Sequence, residues 1–249
     1  MPAKIRVAAT ADVHCRADRS NPSAEALAEL GDRADILLLA GDLTTYGRPE
    51  EAAVLAAACS GLELPVIAVL GNHDWHCDRA DEVTAALEQG GIKVLDRGWT
   101  IEDVGGTEVG VVGAKGFIGG FPGSHLPDFG EPSLRRVYAE ATEEVDGIDA
   151  GLREVALCPL RLVVMHYSPI EQTLVGEREQ IWAFLGTDRL AAPLVEHQPD
   201  LVVHGHAHAG TFAGRVGEVD VFNVSVPVTG RDYWLFELEA STAADTSIH

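Results

Sequence analysis

The sequence predicts an α/β fold. Two observations carry this. Short apolar runs of strand length alternate with helix-like stretches along most of the chain, and five of those runs end in a motif of Asp, Asn or His. Residues 5–10 form the first expected strand. Asn21-Pro22 follows, an N-cap residue with proline at the first helical position, and apolar residues carry that helix to Leu30. Residues 36–40 are a buried-type strand ending at Gly41-Asp42, and residues 49–59 an alanine-rich helix stopping before Gly61. Residues 65–70 are a second buried strand, ending at Gly71-Asn72, and residues 78–89 a helix closed by Gly90-Gly91. Residues 92–95, 99–104 and 108–114 are expected strands, the last two joined at Gly105-Gly106.

The second half begins with a Gly-, Pro- and aromatic-rich stretch, residues 113–130, expected to be a long ordered loop. Residues 132–157 are expected to be helical with a break near Gly147. A strand over 161–165 ends at His166. Residues 181–197 are expected to be helical, interrupted at Gly186 and Pro193. A short strand over 201–203 ends in His204-Gly205-His206-Ala207-His208, and residues 212–216, 219–224 and 233–238 supply closing strands. With no internal repeat and no linker, residues 1–240 are expected to be a single domain, followed by a small, polar, frayed tail at 241–249.

Composition bounds the function. Of 249 residues, 46% are hydrophobic and 23% charged, so a sizeable core can be buried. The formal net charge is −21, and no Lys/Arg cluster offsets it, which disfavours nucleic acid as a partner. A local cationic site can still attract a small phosphate ester. No apolar run is long enough for a bilayer, so no membrane association is expected. The N-terminus lacks the apolar core of a secretory signal, and a cytoplasmic location is expected. The four cysteines are widely spaced without a CxxC pair, which predicts reduced, packed thiols.

The chemistry sits at strand ends. In α/β folds ligands bind beyond the carboxyl ends of the strands, where loops converge. Five loops there carry Asp12-Val13-His14, Gly41-Asp42, Gly71-Asn72-His73-Asp74, His166 and Gly205-His206-Ala207-His208. Singly, each has a plain explanation: a capping turn, a Gly-Asp turn, a core histidine. Together, in order and each after a strand, they are not explained as turns. Oxygen and imidazole donors without thiolate suit divalent Mn, Fe, Co or Zn. A carboxylate between two such cations can hold them about 3.5–4 Å apart, the spacing that clamps attacking and leaving oxygens. A coordinated water then has a pKa near about 7, which provides a nucleophile at neutral pH.

This ordered set resembles that of the calcineurin-like metallophosphoesterases, and the resemblance spans Asp12 to His208. It implies a four-layer α/β/β/α sandwich, two β-sheets packed face to face with helices outside. It implies two divalent metal ions: Asp12, His14, Asp42 and His208 would hold the first. Asp42 would bridge to the second, completed by Asn72, His166 and His206. His73 would sit beside the phosphate as general acid, oriented by Asp74. The function expected is hydrolysis of a small phosphate ester, as a phosphodiesterase or phosphatase. A non-catalytic scaffold of the same fold and a nuclease are the alternatives.

The sequence also departs from that pattern. His204 is an extra imidazole, either a support for the ligands or filler. His166 is followed by Tyr167-Ser168-Pro169, where the resemblance leads to the expectation of a second histidine. Arg16 is either a phosphate contact or half of a surface ion pair, and His76 and Cys77 either line the pocket or lie in a solvated turn. Phe117 and Phe121, in the glycine-rich loop, are candidate substrate walls.

Overall fold

The computed structural model of the chain describes residues 3–241. Strands β1 (Lys4–Thr10), β2 (Ile36–Ala40), β3 (Val66–Val69) and β4 (Ile92–Val94) run parallel, and β11 (Trp234–Glu239) pairs antiparallel with β1, giving one sheet in the order β11-β1-β2-β3-β4. The second sheet has the order β5-β6-β7-β8-β10-β9. It is built from β5 (Gly98–Val104), β6 (Thr107–Ala114), β7 (Leu160–Met165), β8 (Leu201–His204), β9 (Ala213–Val216) and β10 (Val219–Asn223). Its interior pairs, β6 with β7, β7 with β8 and β8 with β10, are parallel, and its edge strands β5 and β9 are antiparallel to their neighbours.

Alternation along the strands makes the layers. Val7, Ala9, Leu38, Ala40, Ile67 and Val69 face Val109, Val111, Leu162, Val164 and Val203 of the other sheet in one core. The intervening residues Ala8, Leu37, Leu39 and Ala68 pack outward on α1 (Pro22–Ala28), α2 (Pro49–Cys59) and α3 (Ala80–Gln89), through Leu27, Leu55, Val83 and Leu87. On the far side Val112, Val163, Met165 and Val202 pack on α4 (Pro132–Glu154) and α5 (Ala191–His197), through Ile148, Leu152 and Leu194. Both faces of both sheets are therefore covered, which is why their central strands read as continuous apolar runs. The four-layer α/β/β/α expectation is met.

Three local expectations are corrected. Asn21 does stand at the N-cap position of α1 with Pro22 after it, but its side chain makes no capping bond; its amide turns back on Arg16, accepting from the Arg16 N–H at 2.7 Å and donating to the Arg16 carbonyl at 2.8 Å. Helix α4 runs unbroken through Gly147, because the missing side chain lets Arg97 lie against the helix: a Cβ there would stand 2.7 Å from the Arg97 Cβ. Residues 181–197 break at Gly186 as expected, into 3₁₀ turns at Glu179–Phe184 and Asp188–Leu190 before α5. Pro193, however, lies in the first turn of α5, where its absent N–H has no intrahelical acceptor to miss. The expected tail lies outside the described residues except for Ser241, which is held to the Pro159 carbonyl by its N–H at 2.9 Å and its hydroxyl at 2.8 Å. Among the described residues, no helix is long and apolar enough to cross a membrane.

Candidate metal centre

The loops after β1, β2, β3, β7 and β8 meet at one edge of the two sheets. The first two are laced together by their backbones: the Asp12 N–H donates to the Gly41 carbonyl and the His14 N–H to the Asp42 carbonyl, both at 3.0 Å. The loops after β7 and β8 join through the Gly205 N–H and the His166 carbonyl, at 3.1 Å. Backbone strain concentrates here. Of the seven non-glycine residues with positive φ among the described residues, four are Asp12 (59°), His14 (45°), Asp42 (52°) and His206 (69°). Such conformations cost of order 1–3 kcal/mol each and persist where surrounding contacts enforce a function.

Those turns aim the side chains at two adjoining clusters. Donor atoms of Asp12, His14, Asp42 and His208 lie within 4.8 Å of one another, as do those of Asp42, His166 and His206, so Asp42 belongs to both groups. Asn72 completes the second group in space, its Oδ1 3.0 Å from His166 Nε2. The close approach of the β2 and β3 loops depends on Gly71, since any Cβ at that position would collide with the Asp42 carboxylate. All seven residues expected as ligands are thus brought together.

The ring nitrogens indicate what the clusters can hold. His166 Nδ1 donates to the Ala40 carbonyl at 2.9 Å, leaving Nε2 pointed at two oxygens, Asn72 Oδ1 at 3.0 Å and Asp42 Oδ1 at 3.3 Å. A ring lone pair facing two oxygens is the arrangement a cation completes. His206 Nε2 donates to the Phe184 carbonyl at 3.2 Å, which leaves Nδ1 as its open donor. His14 Nδ1 is buried with no hydrogen-bond partner among the described residues. His208 Nε2 lies 2.9 Å from Asp12 Oδ1, and His14 Nε2 lies 3.9 Å from Asp42 Oδ2. An all-oxygen-and-imidazole set of this kind fits divalent transition metals.

Electrostatics are consistent with that fit. Burial pushes the Asp42 carboxyl above the usual range, although neighbouring His166 opposes it. Burial acts the same way on Asp12, but the His208 hydrogen bond and the nearby imidazoles outweigh it and hold that carboxyl low. Burial lowers His14 and takes His206 down to about 3, so both rings are neutral at physiological pH.

His73 stands over this centre. Its backbone N–H donates to Asp42 Oδ1 at 2.8 Å, and its ring Nδ1 donates to the Thr45 carbonyl at 2.8 Å. That leaves Nε2 facing the clusters, 4.0 Å from Asp42 Oδ2. Asp74 does not orient the ring. Its fully buried carboxylate turns the other way and accepts from the N–H groups of Gly71 (2.8 Å), Leu43 (3.2 Å) and Thr44 (2.8 Å) and from the Thr44 hydroxyl (2.6 Å). It therefore ties the Asp42 loop to the Asn72 loop, and a backbone carbonyl holds the imidazole.

The remaining flagged residues sort cleanly. His204 is fully buried with both nitrogens used, Nδ1 donating to the Gly205 carbonyl at 2.8 Å and Nε2 accepting from the Thr173 hydroxyl at 2.9 Å. Burial lowers it to about 4, so it is a neutral strut. Arg16 is paired with Asp18 at 2.7 Å. Cys77 is exposed and the other three cysteines are buried, all four free. His76 stacks on His73, with ring centroids 6.5 Å apart. Phe121 is a core residue beside Leu174 and Leu185, whereas Phe117 lines a cavity that reaches Asn72. Tyr167 tilts against His206, with ring centroids 4.4 Å apart. Trp75 and Lys115 also line that cavity and were not singled out by the sequence; Trp75, directly after the Gly-Asn-His-Asp run, carried the one available signal. A third cluster, Asp149, Glu196 and His197, is already occupied by internal pairing, with Asp149 2.8 Å from both Arg153 and His197.

A doubly covered pair of mixed sheets thus gathers, at its strand ends, Asp, Asn and His side chains that could hold metal ions. The chain belongs to the calcineurin-like phosphoesterase family, whose model matches residues 5–210. It is accordingly a phosphoester-hydrolysing enzyme. Among solved structures, its fold is similar to phosphopantetheinyl hydrolase from Mycobacterium tuberculosis, with 16% identity, a TM-score of 0.68, and coverage of 100% of this chain and 99% of that one. It is also similar to a putative 5′-nucleotidase from Staphylococcus aureus, with 16% identity and a TM-score of 0.58, over 99% of this chain and 56% of that one. A third similar fold is GAP50, the anchor in the inner membrane complex of Plasmodium, at 12% identity and a TM-score of 0.55, over 90% of this chain and 72% of that one. No curated protein matches the sequence.

Proposed function

We propose that the chain hydrolyses small phosphate mono- or diesters with two divalent cations, drawn from Mn, Fe, Co and Zn. Asp12, His14, Asp42 and His208 would hold one, and Asp42, Asn72, His166 and His206 the other. The observation that carries this is the membership of Asp42 in both clusters. A cation pair of this kind clamps the phosphoryl oxygens and supplies a water of depressed pKa.

The protein's own part is positioning and proton transfer. Asp74 and the strained loops fix the ligand oxygens and nitrogens before substrate arrives. With Nδ1 committed to the Thr45 carbonyl, His73 in its imidazolium form presents the Nε2 proton to the leaving oxygen. Two carboxylates against two divalent cations leave the centre positive, so it draws in phosphate despite the acidic surface. The net charge of −21 weighs against a nuclease.

A non-catalytic scaffold is the second reading, prompted by the fold likeness to GAP50. Loss of ligands or of the general acid would favour it; here the whole set and His73 are assembled. Residues 1–240 are read as one domain, in line with the full-length overlap with the phosphopantetheinyl hydrolase fold. Four free cysteines go with a reducing, cytoplasmic setting.

Metal-reconstituted protein is expected to hydrolyse bis(p-nitrophenyl) phosphate or p-nitrophenyl phosphate, and chelation is expected to abolish the activity. Absence of turnover with every one of Mn, Fe, Co and Zn would remove the enzymatic reading in favour of the scaffold.

A further inference from the structure

A cavity of about 220 Å³ opens beside the metal centre, lined by Asn72, Trp75, Lys115, Phe117, Glu140 and Tyr167. Asn72 is shared with the second ligand cluster, so a phosphate held at the centre has its ester group within reach of this space. A larger cavity of about 480 Å³, around Arg6, Asp35 and Asp103, lies at the opposite, amino-terminal ends of the parallel strands, away from this chemistry.

We propose that the cavity beside Asn72 is the subsite for the ester group of the substrate and that it takes a neutral, planar aromatic ring, either aryl or nucleobase. This assignment rests on the hydrolytic reading above. Three rings form its walls. Trp75 is 45% exposed, its face unclaimed by the core. Phe117 and Tyr167 meet edge to face, with centroids 6.0 Å apart, and Tyr167 is fixed from behind by His206. Aromatic walls favour an offset-stacked or edge-on ring over a flexible chain. The volume falls below the roughly 300 Å³ at which pockets begin to enclose drug-sized ligands, so one ring system fits and a large substrate does not.

Charge narrows the choice. The Lys115 ammonium sits 4.3 Å from the Phe117 ring centre and 5.5 Å from that of Tyr167, so a cation-binding aromatic cage is already filled by the protein's own cation. A second ammonium from a ligand would be repelled. An anionic ester group meets Glu140 in the lining, and the buried Glu144, 3.7 Å from Lys115 Nζ, offsets the lysine's own attraction for an anion. Glu140 is only loosely engaged, its Oε1 3.9 Å from Arg97 Nη1, and is free to accept from a ring N–H. A neutral ring with a polar edge satisfies all of these groups.

The test uses ligand pairs with one headgroup. Binding of benzylphosphonate and ethylphosphonate to the full-length, metal-loaded protein is measured by calorimetry, with (thymin-1-yl)methylphosphonate as a third, non-hydrolysable ligand; the tighter binder of it and benzylphosphonate separates a nucleobase from a simple aryl group. Benzylphosphonate is expected to bind about tenfold more tightly than ethylphosphonate, the effect of two ring contacts. In Trp75→Ala, and separately in Phe117→Ala, that ratio is expected to fall to about threefold, the effect of the one remaining contact. Equal affinities in the unmodified protein, no binding of either ligand, or a ratio preserved in both variants overturns the subsite. Phosphate release from benzyl and ethyl phosphate, whose alcohols are similar leaving groups, is followed alongside. Ring preference without turnover of any ester leaves the subsite standing and removes the hydrolytic reading; turnover without ring preference does the reverse.

Discussion

Replacing Asp42 with Asn is expected to reduce bound metal from two ions per chain to one or fewer and to lower turnover by about 10³-fold, the loss of one cation's stabilisation of several kcal/mol. The carboxylate is buried at the junction of the two clusters, with His166 Nε2 3.3 Å from one oxygen and His14 Nε2 3.9 Å from the other. An amide has a single acceptor oxygen and turns an NH₂ towards imidazoles meant to face a cation. Burial already disfavours the charged form of Asp42, pushing its carboxyl above the usual range. Burying an uncompensated carboxylate is itself costly, so the metal-free variant is expected to melt no lower than the metal-free parent. Elemental analysis and thermal unfolding of both proteins check this. Full metal occupancy in the variant would contradict the shared role of Asp42.

The second large effect concerns His73. In His73→Asn, esters of alkyl alcohols are expected to slow by about 10²–10⁴, the range for a lost general acid, while p-nitrophenyl esters slow by less than about tenfold. An alkoxide needs a proton to depart and a nitrophenolate does not. Geometry also supplies a control. It is the backbone N–H of His73 that touches Asp42 Oδ1, at 2.8 Å, and the side chain reaches Thr45 instead. Metal content is therefore expected to survive the substitution. Equal slowing of both ester classes would assign His73 to phosphate binding and leave proton donation to another group.

The layers and the convergence of the Asp-, Asn- and His-bearing loops were legible in the sequence for a physical reason. Strands buried on both faces, such as Ile36–Ala40, read as unbroken apolar runs, and a polar residue such as Asp42 directly after one stands out. The order of such endings then identifies which loops converge. Backbone partners leave no such mark. That the Thr45 carbonyl, and not the adjacent Asp74, holds the His73 ring depends on how two loops cross in space. Gly147 read as a helix break because glycine is a poor helix former, but its purpose is close approach to Arg97, fifty residues away in a different layer. The cavity walls were partly hidden likewise. Phe117 carried an aromatic signal within a glycine-rich loop, whereas Lys115 and Glu140 come together only once β6 and α4 are packed. Tyr167 belongs to the Tyr167-Ser168-Pro169 departure after His166, but its contact with His206 depends on how the loops after β7 and β8 pack.

We propose that one carboxylate, that of Asp42, joins two cations at the strand ends. Anomalous diffraction from crystals of the Mn- or Zn-loaded protein tests it most directly. Two peaks are expected about 3.5–4 Å apart on either side of the Asp42 carboxylate, one against Asp12, His14 and His208 and the other against Asn72, His166 and His206. A single peak in fully loaded protein, or a pair that Asp42 does not span, would contradict the account.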